Sequence, residues 1–184
     1  AEEIKHDKKK KIIYYKNASL KIYDKKVFYF PKFFHPDPTV KRQSGFLIPT
    51  LNDSGNSGTS VQIPYFKVIA EDEDMTIKPR VFTNNDIILQ NEYRKVGKNY
   101  DHISDFSFYT SALGNSSQTS KSHFFSNTKF NFEDIIFQES NLEINLEQVA
   151  NDTYIKKYKI NSPLIKSETL MHSFLKFDGF NDDS

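Results

Sequence analysis

Few polar residues of this 184-residue chain have the types and spacing that covalent chemistry or metal binding would need. His35 and Asp37 have a His-x-Asp spacing, but a metal site needs three or four convergent ligands, and no further ligand follows at a recognised spacing. The sequence contains neither a serine in a G-x-S-x-G context nor a glycine-rich phosphate loop. We therefore expect a protein that is not an enzyme and that has no metal site and no cofactor.

Prolines mark the stretch from Phe28 to Thr50 as a connector between two regions of different character. Each proline removes a backbone donor, fixes φ and restricts the residue before it, so neither a helix nor a regular ladder is expected to pass through. A rigid, extended connector between two β-rich regions is predicted instead. Its hinge is expected at Pro31, His35, Pro36, Asp37, Pro38 and Gly45.

The composition limits the classes of partner and of fold. A net charge of +1 gives no global field for nucleic acid, and the absence of cysteine excludes a disulfide framework. The mean hydropathy is −0.63 although 15% of the residues are aromatic, which is typical of strands in which every second residue is polar. The acidic run from Glu71 to Asp74 is interpreted as a solvated loop.

Before the connector, three short β-type runs are predicted at Ile12 to Tyr15, Leu20 to Tyr23 and Val27 to Phe30, with polar turns at Lys16-Asn17 and at Asp24 to Lys26. They are interpreted as the last strands of a small sheet.

After the connector, hydrophobic and polar residues alternate with a period of two. Ile144, for example, is a hydrophobic position that directly follows the polar Glu143. Ordinary soluble strands favour about 5–6 residues, whereas a transmembrane β-strand needs about 9–11, with flanking aromatic residues. The longer lengths favour part of an outer-membrane barrel, with a soluble β-sandwich as the alternative. The predicted strands are Val61 to Ile69, Met75 to Phe82, Asp86 to Val96, Ile103 to Ser111, His123 to Phe132, Leu142 to Leu146, Tyr154 to Ile160 and Thr169 to Phe177.

One face of the predicted strands is too charged for the packed core of a sandwich and suits a water-filled lumen. It carries Lys78, Arg80, Gln90, Glu92 and Arg94.

Two further prolines, Pro64 and Pro79, lie inside predicted strands. Proline cannot donate to a ladder, so each would weaken strand pairing where it sits. The alternative is that each proline only ends a strand or faces an irregular rim.

Several motifs resemble the LPS-assembly protein LptD family, also called the organic solvent tolerance proteins. The resemblance is dense over residues 12–96, and Asn17-Ala-Ser-Leu20 is similar to the repeat unit of the family's periplasmic β-jellyroll. The matching stretches are Tyr29-Phe-Pro31, His35-Pro-Asp-Pro-Thr-Val-Lys-Arg-Gln-Ser-Gly-Phe-Leu-Ile-Pro49, Ile63-Pro-Tyr-Phe66, Asp74-Met-Thr-Ile-Lys-Pro79, Glu92-Tyr-Arg94 and Asn151-Asp-Thr-Tyr154.

The resemblance implies an all-β chain in which residues 1–43 form the end of a periplasmic jellyroll and the connector. Residues 44–184 would form the N-terminal part of a barrel in the Gram-negative outer membrane. The implied partners are lipopolysaccharide, an LptA-like periplasmic bridge and an LptE-like lipoprotein that plugs the barrel.

The resemblance also implies roles for particular residues. Pro64 and Pro79 match prolines that loosen a lateral gate in the first barrel strands. Lys41 and Arg42 would sit where the jellyroll hands lipopolysaccharide to the barrel, and arginine can hold its phosphates bidentately. They could equally be ordinary surface cations. A generic porin or receptor barrel and a secreted β-sandwich binding module remain the alternatives for the whole chain.

Overall fold

The computed structural model describes residues 1–9, 11–22, 24–37, 42–54, 58–111, 121–132 and 139–180. Over these ranges the chain forms antiparallel strands and one short helix, which confirms the predicted all-β class. The elements are β1 (Glu3–Asp7), β2 (Ile12–Ile22), β3 (Lys25–Pro36), β4 (Gly45–Phe46), β5 (Thr50–Ser54), β6 (Gly58–Gln62), β7 (Tyr65–Ala70), β8 (Glu73–Phe82), β9 (Asp86–Val96), β10 (Tyr100–Ser111), β11 (Ser122–Phe132), β12 (Glu139–Val149), α1 (Tyr154–Tyr158) and β13 (Phe174–Phe180).

The first sheet contains three strands in the order β1-β2-β3. The predicted turn at Lys16-Asn17 is wrong, because β2 continues through both residues. Asn17 adopts a φ of 50°, a left-handed conformation that asparagine tolerates better than most residues, so the strand accommodates it without ending.

The prolines of the connector do not all interrupt the backbone ladder. β3 includes Pro31 and pairs with β2 as far as Pro36, which lies opposite Ile12, so the expectation that no ladder passes here is wrong for this part. β3 is the last strand of its sheet, and proline is tolerated at a sheet edge, where a backbone N–H that faces outward has no ladder partner to lose.

The second sheet contains ten antiparallel strands, with the consecutive neighbours β8 to β13 forming most of it. The other edge of β8 is shared by two strands, because β6 pairs with its C-terminal end and β7 with its N-terminal end. β5 then pairs with β6, and β4 pairs with β7, which makes β4 and β5 the edge on this side of the described sheet.

The two faces of this sheet differ sharply in polarity. The register brings Arg80 opposite Ile88, Gln90 opposite Ser107 and Glu92 opposite Asp105, so that these buried polar residues share one face. The opposite face is mainly apolar and open. Its exposed large side chains include Val81, Ile87, Phe108, Phe124, Leu146, Leu175 and Phe177.

Residues 150–173, which we call the strap, connect β12 to β13 and fold across the polar face. The strap contains α1, so the strand predicted from Tyr154 to Ile160 is wrong. Tyr154 and Tyr158 are four residues apart and therefore lie on one side of the helix, where both are buried. The predicted strand from Thr169 to Phe177 is shifted, because β13 begins only at Phe174.

The strap supplies much of the hydrophobic core. It packs four of its own side chains against three from the sheet, and the cluster comprises Phe82, Ile88, Phe125, Tyr154, Ile155, Tyr158 and Ile160. The aromatic rings of Phe82 and Tyr158 meet edge to face with their centroids 5.6 Å apart, a favourable arrangement for two rings. In the part of the chain described above, no helix is both long enough and apolar enough to cross a bilayer.

Candidate functional site

Pro64 and Pro79 lie in neighbouring strands and interrupt the same stretch of ladder. Pro79 is inside β8, and Pro64 occupies the two-residue gap between β6 and β7. The pairing of β6 and β7 with β8 keeps one register across this gap, so that Ile63 faces Pro79. The Ile63 N–H donates to the Pro79 carbonyl at 3.1 Å, but Pro79 has no N–H with which to return the bond.

The second gap is on the other side of Pro64, toward the edge. The Leu47 N–H donates to the Pro64 carbonyl at 2.8 Å, and Pro64 likewise cannot donate in return. β4 ends at Phe46 and β5 starts at Thr50, so the edge strand is broken at the same level as its neighbour. The continuous strand predicted from Val61 to Ile69 is therefore two strands. Two strand-to-strand interfaces, which we call seams, lie beside the edge: β6 and β7 pair with β8 in one, and β4 and β5 pair with β7 and β6 in the other. Each seam lacks one backbone hydrogen bond.

The connector residues are held by contacts between the ends of the first sheet. Asp37 is buried, its N–H donates to the Lys11 carbonyl at 2.9 Å, and its carboxylate contacts the His6 ring. His35 is exposed on β3. No group of three or more potential metal ligands occurs within the described ranges.

The other connector residues divide between the two sheets. Pro31 and Pro36 belong to β3, and Gly45 opens β4 opposite Phe66. Pro38 and Lys41 lie outside the described residues.

Arg42 is held by acceptors within the chain. Its guanidinium donates to the Glu71 carbonyl and to the carboxylate of Asp74, and Arg94 Nε donates to the same carboxylate at 2.7 Å. β8 begins at Glu73 and Asp74 is only 5% exposed, so the interpretation of the run from Glu71 to Asp74 as a solvated loop is wrong for its last two residues. Asp74 is buried because both arginines satisfy its oxygens, and a buried carboxylate requires such partners.

The chain is similar to curated proteins of the LptD family. No family model matches the chain. The LPS-assembly protein LptD of Nitrosomonas eutropha is 29% identical over 195 residues, which cover 95% of this chain and 26% of that protein. The LptD proteins of Nitrosomonas europaea and Legionella pneumophila are 32% and 26% identical over 53% and 85% of this chain. These similarities support an LptD-family fragment. It spans about a quarter or less of the length of these relatives, which are covered over 26%, 13% and 20% of their own length.

A buried polar cluster on the polar face of the second sheet was not predicted from the sequence. The Ser107 hydroxyl lies 2.7 Å from His123 Nδ1, and His123 Nε2 lies 3.1 Å from Asp105 Oδ1. Gln90 Nε2 donates to both oxygens of Asp105, and the Ser107 hydroxyl also contacts the Tyr154 hydroxyl of the strap at 2.7 Å. The cluster thereby joins β9, β10, β11 and the strap.

The geometry of this cluster fits a structural role. A serine hydrolase triad needs the serine on one imidazole nitrogen, the acid on the other, and access for a substrate. Here the side chains of Asp105 and His123 are both 0% exposed, so no substrate can reach them. Burial raises the pKa of Tyr154 to about 12, which keeps its hydroxyl protonated and able to hydrogen-bond.

The alternation of β10 and β11 could have assigned Asp105, Ser107 and His123 to one face. Their meeting also requires the register between the two strands, in which His123 lies opposite Ser107.

Proposed function

We propose that this chain forms the junction between the periplasmic jellyroll and the outer-membrane barrel of an LptD-type protein, and that it takes part in lipopolysaccharide assembly. Residues 1–43 would be the end of the jellyroll with the connector, and residues 44–184 the N-terminal part of the barrel. The polarity of the second sheet supports this assignment, since its open apolar face suits lipid and its buried polar face suits a lumen.

The observation that carries the proposal is the pair of ladder gaps at Pro64 and Pro79. Both gaps lie in the seams next to β4 and β5, the edge that would meet the last strand of a closed barrel. A seam with fewer backbone bonds parts at lower free-energy cost, because each net hydrogen bond contributes roughly 1 kcal/mol. We propose that this edge is the lateral gate through which lipopolysaccharide leaves for the outer leaflet.

The connector would pass lipopolysaccharide from the jellyroll toward this gate. Arg42 is anchored on Asp74, yet 37% of its side chain is exposed, so a lipid phosphate could reach its guanidinium without displacing the carboxylate. Lys41 would be the second cation of the same contact. An LptA-like bridge would deliver lipopolysaccharide to the jellyroll, and an LptE-like lipoprotein would plug the barrel.

Disulfide cross-linking in the full-length protein tests the gate. Leu51 is exposed on β5, and a Leu51→Cys variant combined with cysteines along the last barrel strand should cross-link in cells. Leu146→Cys is the matched control, because this exposed leucine lies in β12, far from the edge, and should not cross-link to that strand. Locking the edge should stop the appearance of lipopolysaccharide at the cell surface until a reductant is added.

Two outcomes would reject the proposal in favour of its rivals. Cross-linking with normal lipopolysaccharide delivery would leave a generic porin or receptor barrel. Release of the full-length protein from membranes without detergent would favour a soluble β-sandwich.

A further inference from the structure

The strap reaches the edge of the second sheet through Arg80. The Arg80 Nη1 group donates to the Tyr158 carbonyl of the strap, and Nε donates to the Ser60 hydroxyl of β6 at 2.8 Å. The Ser60 hydroxyl in turn donates to the Asn52 carbonyl of β5 at 3.3 Å. One side chain of β8 therefore links the strap to the two strands beyond it.

A second basic residue makes a parallel connection. Lys159, the residue that follows α1, donates from Nζ to the Asp53 carbonyl of β5 at 3.1 Å. The two connections end on consecutive carbonyls of the same edge strand, although the strap is about a hundred residues away in sequence. The strap thus contacts the edge at one defined place.

The surroundings of Arg80 make it sensitive to both elements. Arg80 is only 4% exposed, and its recorded hydrogen-bond acceptors within the described ranges are the neutral oxygens of Ser60 and Tyr158. Its Nη2 group is buried without a hydrogen-bond partner. Burial of a guanidinium is costly when its acceptors are lost, so displacement of either the strap or β6 leaves the charge poorly compensated.

We infer that Arg80 is a positioning residue that couples docking of the strap to pairing of the edge strands β5 and β6. When the strap is docked, its Tyr158 carbonyl accepts a hydrogen bond from Arg80. Arg80 is then positioned to donate to the Ser60 hydroxyl, which donates in turn to the Asn52 carbonyl. Release of the strap removes one acceptor and loosens the edge, and by linkage a loosened edge weakens the strap. The inference rests on the proposed function in so far as this edge is taken to be the gate.

Hydrogen exchange on the full-length protein in detergent measures this coupling directly. Ser60→Ala changes only the edge side, yet it should speed exchange of the strap amides on the order of tenfold, as expected for one lost hydrogen bond to a charged group. Lys159→Met removes the direct contact of the strap with the Asp53 carbonyl and should speed exchange of the amides of β5. If Ser60 had a merely local structural role, Ser60→Ala would change exchange in the edge strands alone.

Matched controls separate coupling from general loosening. Lys156→Met removes an exposed lysine from the same short helix and should leave β5 exchange unchanged. Tyr154→Phe removes the hydrogen bond between the strap and Ser107 but leaves both connections to the edge in place, so it should speed exchange of the β5 amides much less than Lys159→Met does. If Tyr154→Phe speeds exchange of the β5 amides as strongly as Lys159→Met does, the strap does not act on β5 through the contacts of Arg80 and Lys159, and the inference is wrong.

Arg80→Met should loosen both elements together, and Arg80→Lys should restore only part of the protection because lysine lacks the planar fork that reaches two acceptors. Unchanged exchange of the far element in Ser60→Ala and Lys159→Met would overturn the coupling, whether or not the Arg80 variants fold. A different result is that the variants show coupled exchange while lipopolysaccharide delivery and cross-linking at Leu51 stay normal. That result would leave the coupling intact and reject the proposal that this edge is the gate.

Discussion

The centre of the second sheet and its N-terminal edge follow the same side-chain alternation but have different backbones. In the centre, β10 pairs with β9 along the whole range from Asp101 to Ser111. At the edge, β4 pairs with β7 only at Gly45 and Phe46, and a gap separates β6 from β7. Proline, which cannot donate to a ladder, stands beside both gaps.

This difference shows that stability in the sheet is distributed unevenly. The centre combines unbroken ladders with a buried polar cluster and the strap above it, and local opening requires all three to give way. The edge depends on short ladders and on a few side-chain contacts, notably those of Arg42 and Arg80. We therefore expect this edge to separate more readily than the centre of the sheet.

The largest expected effect is in the centre, at Asp105. Asp105→Ala leaves the buried donors of Gln90 and His123 without their acceptor, and each unsatisfied group costs about 1–3 kcal/mol. The free energy of unfolding of the full-length protein in detergent should fall by about 4 kcal/mol. Asp101→Ala, in the same strand but exposed, should change it by less than about 0.5 kcal/mol. Similar losses for both variants would mean that the cluster contributes no special stability.

The next effect concerns the two faces of the sheet. Ile144 lies on the apolar face of β12, and Glu143 lies on the opposite face. Ile144→Arg should reduce insertion into liposomes by about 2–4 kcal/mol, the cost of a cation near the bilayer midplane, whereas Glu143→Gln should have little effect. Equal losses for the two variants would show that the apolar face does not meet lipid.

The same comparison explains which features the sequence could predict. The alternation around Ile144 follows from local order alone, so the strands of the centre and their polar faces were predicted correctly. The helix at Tyr154–Tyr158 was missed because five residues are too few to show a helical period against a background of period two.

The side-chain clusters were missed for a different reason. Asp105, Ser107 and His123 meet only when the register of β10 and β11 is known, and Arg80 meets Tyr158 across 78 positions of sequence. Asp74 was interpreted as solvated because it belongs to an acidic run, whereas hydrogen bonds from Arg42 and Arg94 allow it to be buried. Long-range pairing of this kind leaves no periodic signal in one sequence.

The smallest expected change in free energy, with the most direct bearing on the edge, comes from its prolines. In an antiparallel pair that exchanges two bonds, Pro79→Ala would supply the missing N–H toward the Ile63 carbonyl, and Pro64→Ala the one toward the Leu47 carbonyl. Each restored bond should strengthen its seam by about 0.5–1.5 kcal/mol. For two bonds of about 1 kcal/mol each, the population of the open edge should fall on the order of thirtyfold.

The double variant in the full-length protein should therefore slow the appearance of lipopolysaccharide at the cell surface while the yield of folded barrel stays normal. Pro31→Ala is the matched control, because Pro31 lies in β3, at the edge of the other sheet and away from both gaps. Normal delivery by the double variant, at normal yield, would show that the prolines do not govern the opening of the edge. A reduced yield with normal delivery per folded molecule would assign them to assembly, since the gaps would then matter while the strands pair and not afterwards.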